Sequence, residues 1–353
     1  MALIDVRIRK IGTLGHYSSA NGTGQILSTR PSSIAPSGLR PARVEFVTID
    51  DAHAGQRLDN FLIRVLKGVP KTHIYRLVRK GEVRINKGRS AADYRLQVGD
   101  VVRIPPVRTA ANQTQRLAAD PGSEQRFAWL ETHILFEDDW LIAVDKPAGL
   151  ATHGGSGVSV GLIEALRLAR PHARYLELVH RLDRDTSGCL LVAKKRSALT
   201  ALHAMFREDG MDKRYLALVR GTWKGGHRTV DAPLEKTQSQ TGDRQVNVTD
   251  GGKLSKSILR PERKFAAATL LEIRLLTGRT HQARVHCAYI DHPIAGDDKY
   301  GDRDFNRSLR AHGLERLFLH AHRLQFRHPQ TQAKIDINAP LPAELGEVLS
   351  RLP

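Results

Sequence analysis

The most concentrated group of reactive side chains lies in the segment His180–Gly188, which reads His-Arg-Leu-Asp-Arg-Asp-Thr-Ser-Gly. Two carboxylates, Asp183 and Asp185, stand among two arginines, a histidine and two hydroxyls, directly before an apolar run. Neighbouring arginines favour the ionised form of a carboxylate, and an ionised aspartate can serve as a nucleophile, a base or an electrostatic partner. A lone Arg–Asp pair in a turn is more often structural, so from these residues alone a catalytic and a structural role are equally open.

A second polar group, Thr277–His286, follows an apolar run and begins with a turn at Gly278. Thr280 is a suitable N-cap, which predicts a helix over 281–290. Arg284 would then lie near the start of this helix and could point back toward a cleft. The segment therefore offers a cation to any carboxylate that the fold brings opposite it.

Several other chemistries lack the residues that they require. A kinase catalytic loop needs His-Arg-Asp and a later Asp-Phe-Gly, but here Leu182 intervenes and Asp-Phe-Gly does not occur. The glycine-rich stretch His153–Gly157 lacks the lysine of a nucleotide-binding loop and is interpreted as a flexible loop near a cleft. His281 and His286 fall on different helix faces, and no carboxylate completes a zinc set. The sequence thus predicts no metal site and no cofactor.

Alternating strand and helix patterns over residues 127–353 must position these groups. Short strands are predicted at 134–136, 141–144, 190–193, 215–219, 269–276 and 324–326. Taken alone, Lys213–Val219 is a strand with a basic start, in which Tyr215 would most simply pack in the core. The mixture, without any fixed repeat, predicts one α+β domain.

Residues 45–106 indicate a separate small domain of two helices on a small sheet. Apolar residues recur at helical spacing from Leu58 to Leu66, and Thr72 could cap a second helix that ends at Gly81. The segments 83–86 and 101–104 alternate like strands. Basic residues concentrate on the second helix and the turn after it: Lys71, Arg76, Arg79, Lys80, Arg84, Lys87 and Arg89. This face is either a phosphate-contacting surface or a solvated helix face.

The chain has 353 residues and a net charge of +18, which suggests about two domains and a nucleic-acid partner, because each neutralised phosphate releases a counterion. Residues 1–44 are expected to form a disordered tail or a targeting peptide, and 107–126 a linker. No apolar run reaches the length of a membrane span. Two cysteines exclude a disulfide framework. We therefore expect a cytoplasmic protein that acts as a monomer, with no membrane partner.

The small domain resembles the S4-type RNA-binding domain. The matching segments are Arg57–Leu62, Ile74–Val83 and Val98–Asp100. Their order and spacing together carry more weight than any one of them. The resemblance implies that the basic second helix contacts RNA phosphates.

Four blocks of the larger domain, in this order, resemble the RluA-like pseudouridine synthases. They are His-Arg-Leu-Asp-x-x-Thr-Ser-Gly at 180–188, Lys-x-Tyr-x-Ala-Leu-Val at 213–219, Thr-Gly-Arg-Thr-His-Gln-x-Arg-Val-His at 277–286 and His-Pro-Ile-x-Gly-Asp-x-x-Tyr-Gly at 292–301. Asp145–Gly149 matches the family's opening motif. The segments Leu176–Asp185 and Ala193–Leu199 look like the RluC branch, which modifies uridines of bacterial 23S ribosomal RNA. Ala283 replaces the usual Ile or Leu, and Asp145 stands where Asn is common.

The resemblance implies isomerisation of uridine to pseudouridine, in which the N-glycosidic bond breaks, the uracil rotates and C5 joins C1′. It also implies a mixed, mainly antiparallel sheet with a central cleft, and no cofactor. Asp183 would be the nucleophile or base and Arg284 its ion-pair partner. Tyr215 would stack on the uracil and assist proton removal at C5. Arg181 would fill the space left by the flipped base, while Leu182 packs.

Two alternatives stay open beside this function. A non-catalytic S4-type RNA-binding protein would be expected to have lost Asp183, Tyr215 or Arg284, and all three are present. Another glycosidic-bond enzyme could use Asp183 and Asp185 as a carboxylate pair. The sequence leaves open which uridines are modified, and whether Asp183 attacks the base or the sugar or removes a sugar proton.

Overall fold

A computed structural model describes residues 44–50, 53–66, 69, 71–107, 122–154, 160–208, 210–238 and 244–353. The expected disordered tail and most of the expected linker lie outside these residues, as does most of the glycine-rich stretch 153–157. The end of the expected linker is helical, because Ser123–Phe127 forms a short helix.

The small domain is a three-stranded antiparallel sheet with two helices. Its elements are β1 (Glu45–Thr48), α1 (Leu58–Val65), α2 (Lys71–Arg79), β2 (Arg84–Ile85) and β3 (Val101–Ile104), with strand order β1-β3-β2. Phe61 of α1, Ile74 of α2 and Val102 of β3 share one buried core. The predicted cap at Thr72 is wrong, since α2 already begins at Lys71 and Thr72 lies within its first turn.

The strand predicted at 83–86 is confined to Arg84–Ile85. Asn86 and Lys87 instead take left-handed conformations, with φ of 50° and 68°. Asn is among the residues that tolerate this region best, and the turn that they form carries the chain from β2 toward β3.

The larger domain alternates helices with the strands of one sheet. Its helices are α3 (Ser123–Phe127), a 3₁₀ helix (Ala128–His133), α4 (Leu162–Ala169), α5 (Arg196–Arg207), α6 (Gln282–Tyr289), α7 (Arg303–Arg310) and α8 (Ala343–Arg351). Its strands are β4 (Ile134–Glu137), β5 (Leu141–Lys146), β6 (Glu177–Leu178), β7 (Ser187–Ala193), β8 (Asp212–Arg220), β9 (Arg228–Asp231), β10 (Leu234–Gln238), β11 (Arg244–Val248), β12 (Lys256–Lys264), β13 (Ala268–Leu275), β14 (Leu319–Arg327) and β15 (Lys334–Asn338).

Ten of these strands form a single mixed sheet in the order β4-β5-β7-β14-β8-β13-β12-β9, with β15 paired to β14 and β6 to β7. Among the described strands, β14 and β7 form the one parallel pair and all other pairs are antiparallel. β10 and β11 make a separate antiparallel hairpin. The sheet therefore has two antiparallel halves that meet at β7 and β14, as the resemblance implied.

Both faces of the sheet are covered, which explains the nearly continuous apolar strands. Leu191 of β7 packs in the core on one face, while Leu190 and Val192 pack in the core on the other. Strands buried on both faces lose the alternation of apolar and polar residues. Both cysteines are free and buried, Cys189 in the same core as Leu191 and Cys287 in a separate core around β8 and β13.

Gly188 allows the two halves of the sheet to approach closely. Its φ is 109°, and a Cβ at this position would lie 2.3 Å from the carbonyl oxygen of Ala321 in β14. Only glycine meets both requirements. The parallel pairing of β7 with β14 thus depends on the glycine that closes the motif His180–Gly188.

Candidate active site

A cavity of about 100 Å³ lies where the loop before β7, strand β8 and the start of α6 meet. The structure brings four sequence-predicted residues to its lining: Asp183 and Arg181 from the loop, Tyr215 from β8 and Arg284 from α6. The cavity is small beside the roughly 300–1,000 Å³ of common ligand pockets. It suits a single flat ring rather than a whole nucleotide.

Asp183 contacts two cationic or polar groups through one of its oxygens. Arg284 Nη1 lies 3.3 Å from Asp183 Oδ2, and His281 Nε2 lies 3.8 Å from the same atom. Within the described part of the chain, Oδ1 has no protein partner. This arrangement holds the carboxylate on one side and leaves its other oxygen for a substrate.

Two buried side chains hold the backbone on either side of Asp183. The Thr152 hydroxyl donates to the carbonyl of Leu182 at 2.6 Å. Lys146 Nζ donates to the carbonyl of Arg184 at 2.9 Å, and also to the carbonyls of Pro147 and Leu150. Burial lowers the pKa of Lys146 to about 7, while three acceptors match the three donors of its ammonium form. The loop is therefore fixed to the turn that follows β5.

Arg284 is clamped more firmly by a second carboxylate. Asp297 accepts from Arg284 Nε at 2.7 Å and from Nη2 at 2.8 Å, and its Oδ1 also accepts the backbone N–H groups of Lys299 and Tyr300. Burial disfavours a charged guanidinium, but the carboxylates of Asp297 and Asp183 outweigh burial and raise the pKa of Arg284. Arg284 is thus a permanent, fixed cation beside Asp183.

Tyr215 lies in β8 with its ring against the cavity. Burial, reinforced by the Asp183 carboxylate, raises the pKa of its phenol. The phenol is therefore neutral, and its ring can contact a flat group in the cavity. Leu182 is buried in the core, which confirms the prediction that it packs.

His281 is the residue directly before α6, the helix that carries Arg284. The prediction that Thr280 caps this helix is wrong: α6 begins at Gln282, and His281 precedes it in a left-handed conformation with φ of 55°. His281 faces the cavity, whereas His286 is buried against Ser257 and the carbonyl of Ala232. The two histidines thus point to different places, as their spacing predicted.

Arg181, Arg184 and Asp185 lie toward solvent. Arg184 Nε is 3.1 Å from Asp185 Oδ1 in an exposed pair, and both residues line a wider neighbouring cavity of about 600 Å³ together with Arg181 and Asp183. Asp185 is not among the residues around the smaller cavity. Asp183 therefore lines both cavities, whereas Asp185 lines only the wider one and Tyr215 lines the smaller one without lining the wider one. This separation argues against Asp183 and Asp185 acting as a carboxylate pair in the smaller cavity.

The basic residues of the small domain lie on its surface. Those predicted to bind RNA are all exposed, on α2 and directly after it and, for the last of them, in β2: Lys71, Arg76, Arg79, Lys80 and Arg84. None of these five forms an ion pair with a described carboxylate. A charged face without acidic partners suits contact with phosphates, and this role remains a prediction.

The described residues show neither a metal site nor a membrane span. No group of three or more metal-ligating side chains is found there. Nor does that part of the chain contain a helix long and apolar enough to cross a membrane.

Four residues at or behind the cavity could not be predicted from the sequence: Lys146, Thr152, Asp297 and Tyr300. Asp297 and Tyr300 stand in the block 292–301 that supported the resemblance. The motif therefore marked both residues, but nothing in it showed that they contact Arg284 and His281. A lysine is rarely fully buried, and no local pattern links Lys146 or Thr152 to the loop of Asp183.

Comparison with known proteins supplies the family. A model described as RNA pseudouridylate synthase matches residues 140–289, and an S4 domain model matches residues 56–102. A ribosomal large subunit pseudouridine synthase C from Haemophilus ducreyi is 54% identical over 311 residues, covering 88% of this chain and 96% of that protein. The protein of the same name from Escherichia coli strain K12 is also 54% identical over 311 residues, covering 88% and 97%.

Solved structures agree with the sequence comparisons. Human RNA Pseudouridylate Synthase Domain Containing 4 has a TM-score of 0.53 and 25% identity, over 65% of this chain and 97% of its own. Human RNA Pseudouridylate Synthase Domain Containing 1 gives 0.51 and 25%, over 59% and 83%. The chain belongs to the RNA pseudouridine synthase family, with an S4 domain before the synthase domain.

Proposed function

We propose that this enzyme isomerises specific uridines to pseudouridine in bacterial 23S ribosomal RNA, acting as a cytoplasmic monomer. The observation that carries the proposal is the fixed Asp183 carboxylate in a cavity of the size of one ring. The chain is also similar to two ribosomal large subunit pseudouridine synthases over 96% and 97% of the length of those proteins. The cytoplasmic location follows from the substrate, since bacterial ribosomal RNA is made there. Residues 45–106 and 127–353 would be its two domains, joined by 107–126, of which the last residues belong to α3 of the larger domain.

Asp183 acts as the nucleophile or base through Oδ1, the oxygen that has no partner among the described residues. The bond between N1 and C1′ breaks, the uracil turns within the cavity, and C5 bonds to C1′. Any bond that Asp183 forms to the base or the sugar breaks again, which returns the carboxylate. The carboxylate then takes the proton from C5, and N1 gains a proton from solvent, so atoms and charge balance without an oxidant, a hydrolytic water or a phosphate donor. Arg284 stabilises the ionised carboxylate before the reaction and holds it in place during it.

Tyr215 packs against the uracil, and Arg181 occupies the space that the base leaves in the RNA stack. An exposed arginine at the mouth of the cavity can do this because the guanidinium plane stacks on bases. The exposed basic residues of α2 bind RNA phosphates away from the reacting nucleotide. The small cavity then accommodates a single base, and the S4 domain supplies affinity that is independent of the RNA sequence.

The experiment compares pseudouridine maps of 23S ribosomal RNA from a wild-type strain and a strain without this gene. We expect defined pseudouridines to disappear, to return with the wild-type gene, and to stay absent with an Asp183→Asn copy that is expressed equally. An unchanged map in the deletion strain would refute the 23S substrate. Restoration by Asp183→Asn would refute the role of Asp183.

A further inference from the structure

Two hydrogen bonds and one longer polar contact lead from the β10–β11 hairpin to the carboxylate of Asp183. The backbone N–H of Val246 donates to Tyr300 Oη at 3.0 Å. Tyr300 Oη lies 2.9 Å from His281 Nδ1, and His281 Nε2 lies 3.8 Å from Asp183 Oδ2. The rings of His281 and Tyr300 also pack edge to face, and Arg284 lies over the Tyr300 ring at 5.1 Å.

The partners on the two sides of the ring indicate which nitrogen of His281 carries hydrogen. Nε2 faces Asp183 Oδ2 at 3.8 Å, and a lone pair on Nε2 would face a carboxylate oxygen, which is electrostatically unfavourable. On the other side, a backbone N–H can only donate, so Tyr300 Oη accepts from Val246. The hydroxyl hydrogen of Tyr300 can then be donated to His281 Nδ1 at 2.9 Å. Both sides favour a neutral ring with its hydrogen on Nε2 and Nδ1 as the acceptor.

We propose that His281 is a positioning residue for Asp183: its Nε2–H points at Asp183 Oδ2, and Tyr300 holds the ring in that tautomer. Arg284 and His281 then grip the same carboxylate oxygen from two sides, which leaves Oδ1 to react. The inference rests on the role proposed for Asp183. Because Nε2 has no lone pair toward the cavity in this tautomer, His281 is not placed to accept a proton from the substrate.

Backbone conformation and charge support this assignment. His281 is held in the left-handed region, and a non-glycine residue there is uncommon and often marks a functional site. The charged groups facing its ring are Asp183, Arg284, Asp297 and Lys299. Burial lowers the pKa of His281 and keeps the ring neutral, and burial raises the pKa of Tyr300, so its hydroxyl keeps its hydrogen.

Two amide side chains separate the functions of the two ring nitrogens. In His281→Gln the amide nitrogen can take the place of Nε2, whereas in His281→Asn it reaches only the place of Nδ1. Asn adopts a left-handed backbone more readily than Gln does. A higher rate in His281→Gln than in His281→Asn would therefore not be explained by backbone strain. His281→Leu removes both positions, and Tyr300→Phe removes the hydroxyl while keeping the ring over Arg284.

The assay measures single-turnover release of tritium from C5 of uridine in a saturating RNA stem-loop, together with RNA affinity. We expect His281→Leu and His281→Asn to lose about 10- to 100-fold in rate, with affinity within about 3-fold of the wild type. His281→Gln should recover most of the rate. Tyr300→Phe should lose about 3- to 10-fold, the value of one hydrogen bond.

Nitrogen NMR of labelled histidine in the wild-type enzyme tests the tautomer without any variant having to fold. The His281 signals, identified by their loss in His281→Gln, should show hydrogen on Nε2 and none on Nδ1. Hydrogen on Nδ1, or a wild-type rate in His281→Asn or His281→Leu, would overturn the proposal. Activity in Asp183→Asn would instead refute the role of Asp183 and leave the tautomer result unchanged.

Discussion

Two aspartates bind Arg284, and we expect the one whose replacement costs more stability to cost less activity. Asp297 is 2% exposed and makes two hydrogen bonds with Arg284 and two with backbone N–H groups. The side chain of Asp183 is 20% exposed and contacts Arg284 once, at 3.3 Å. The matched changes are Asp297→Asn and Asp183→Asn, which keep the shape and remove the charge.

The magnitudes follow from this geometry. Asp297→Asn breaks a buried pair and leaves the guanidinium poorly compensated, which costs about 3–5 kcal/mol of unfolding free energy. Asp183→Asn removes a partly exposed contact worth about 1 kcal/mol or less. For chemistry the order reverses: Asp183→Asn should abolish turnover with RNA affinity kept, because the amide is not a nucleophile. Asp297→Asn should cost about 100-fold through misplacement of Arg284.

Thermal unfolding and single-turnover tritium release measure the two effects separately. The melting temperature of Asp297→Asn should fall by roughly 10 °C, since 1 kcal/mol shifts it by about 2–4 °C in a domain of this size. Asp304→Asn is the control, because that carboxylate is exposed on α7 and its loss should change stability by less than about 0.5 kcal/mol. An Asp297→Asn variant as stable as the control, or measurable turnover by pure Asp183→Asn, would refute the reasoning.

Three further outcomes are expected. Replacing Arg76, Arg79 and Lys80 by Gln should lower the slope of log RNA affinity on log salt by about 0.7–0.9 per lost phosphate contact; an unchanged slope in RNA titrations would mean a merely solvated face. Turnover of a stem-loop that folds in monovalent salt should survive exhaustive chelation. Activity that is lost with the chelator and regained with stoichiometric zinc would contradict this. Burial lowers the pKa of His320 to about 4 from 6.5. Between these values the unfolded chain binds the proton and the folded one does not, so unfolding free energy should fall by up to about 3 kcal/mol as pH drops, and denaturation at several pH values checks this against His320→Gln.

The sequence was informative where local pattern and tertiary structure agree. The apolar runs of β5, β7 and β13 could be predicted because both sheet faces are covered, so most of their residues are buried. The position of Arg284 near the start of a helix was enough to place its guanidinium toward a cleft. The motifs also brought Asp183, Tyr215 and Arg284 together, although Arg284 is far from Asp183 in the chain.

Other features depend on partners that no local pattern reveals. The left-handed conformation of His281 replaces the expected Thr280 cap, because the histidine ring is drawn to Tyr300 and Asp183 rather than to solvent. Lys146 is fully buried because three carbonyls from two segments surround its amine. Its neighbour in function, Thr152, bonds to a backbone carbonyl and leaves no mark in the sequence.

The position of β14 has a consequence for how the protein is made. This strand lies in the middle of the ten-stranded sheet, between β7 and β8, yet it comes almost last in the chain, at Leu319–Arg327. Until the ribosome has synthesised β14, β7 and β8 have no strand between them. Their unpaired edges are then exposed, and such edges are prone to aggregation. A nascent or truncated chain that stops before β14 should therefore lack a closed cleft, so a fragment carrying every catalytic motif would still be inactive and insoluble.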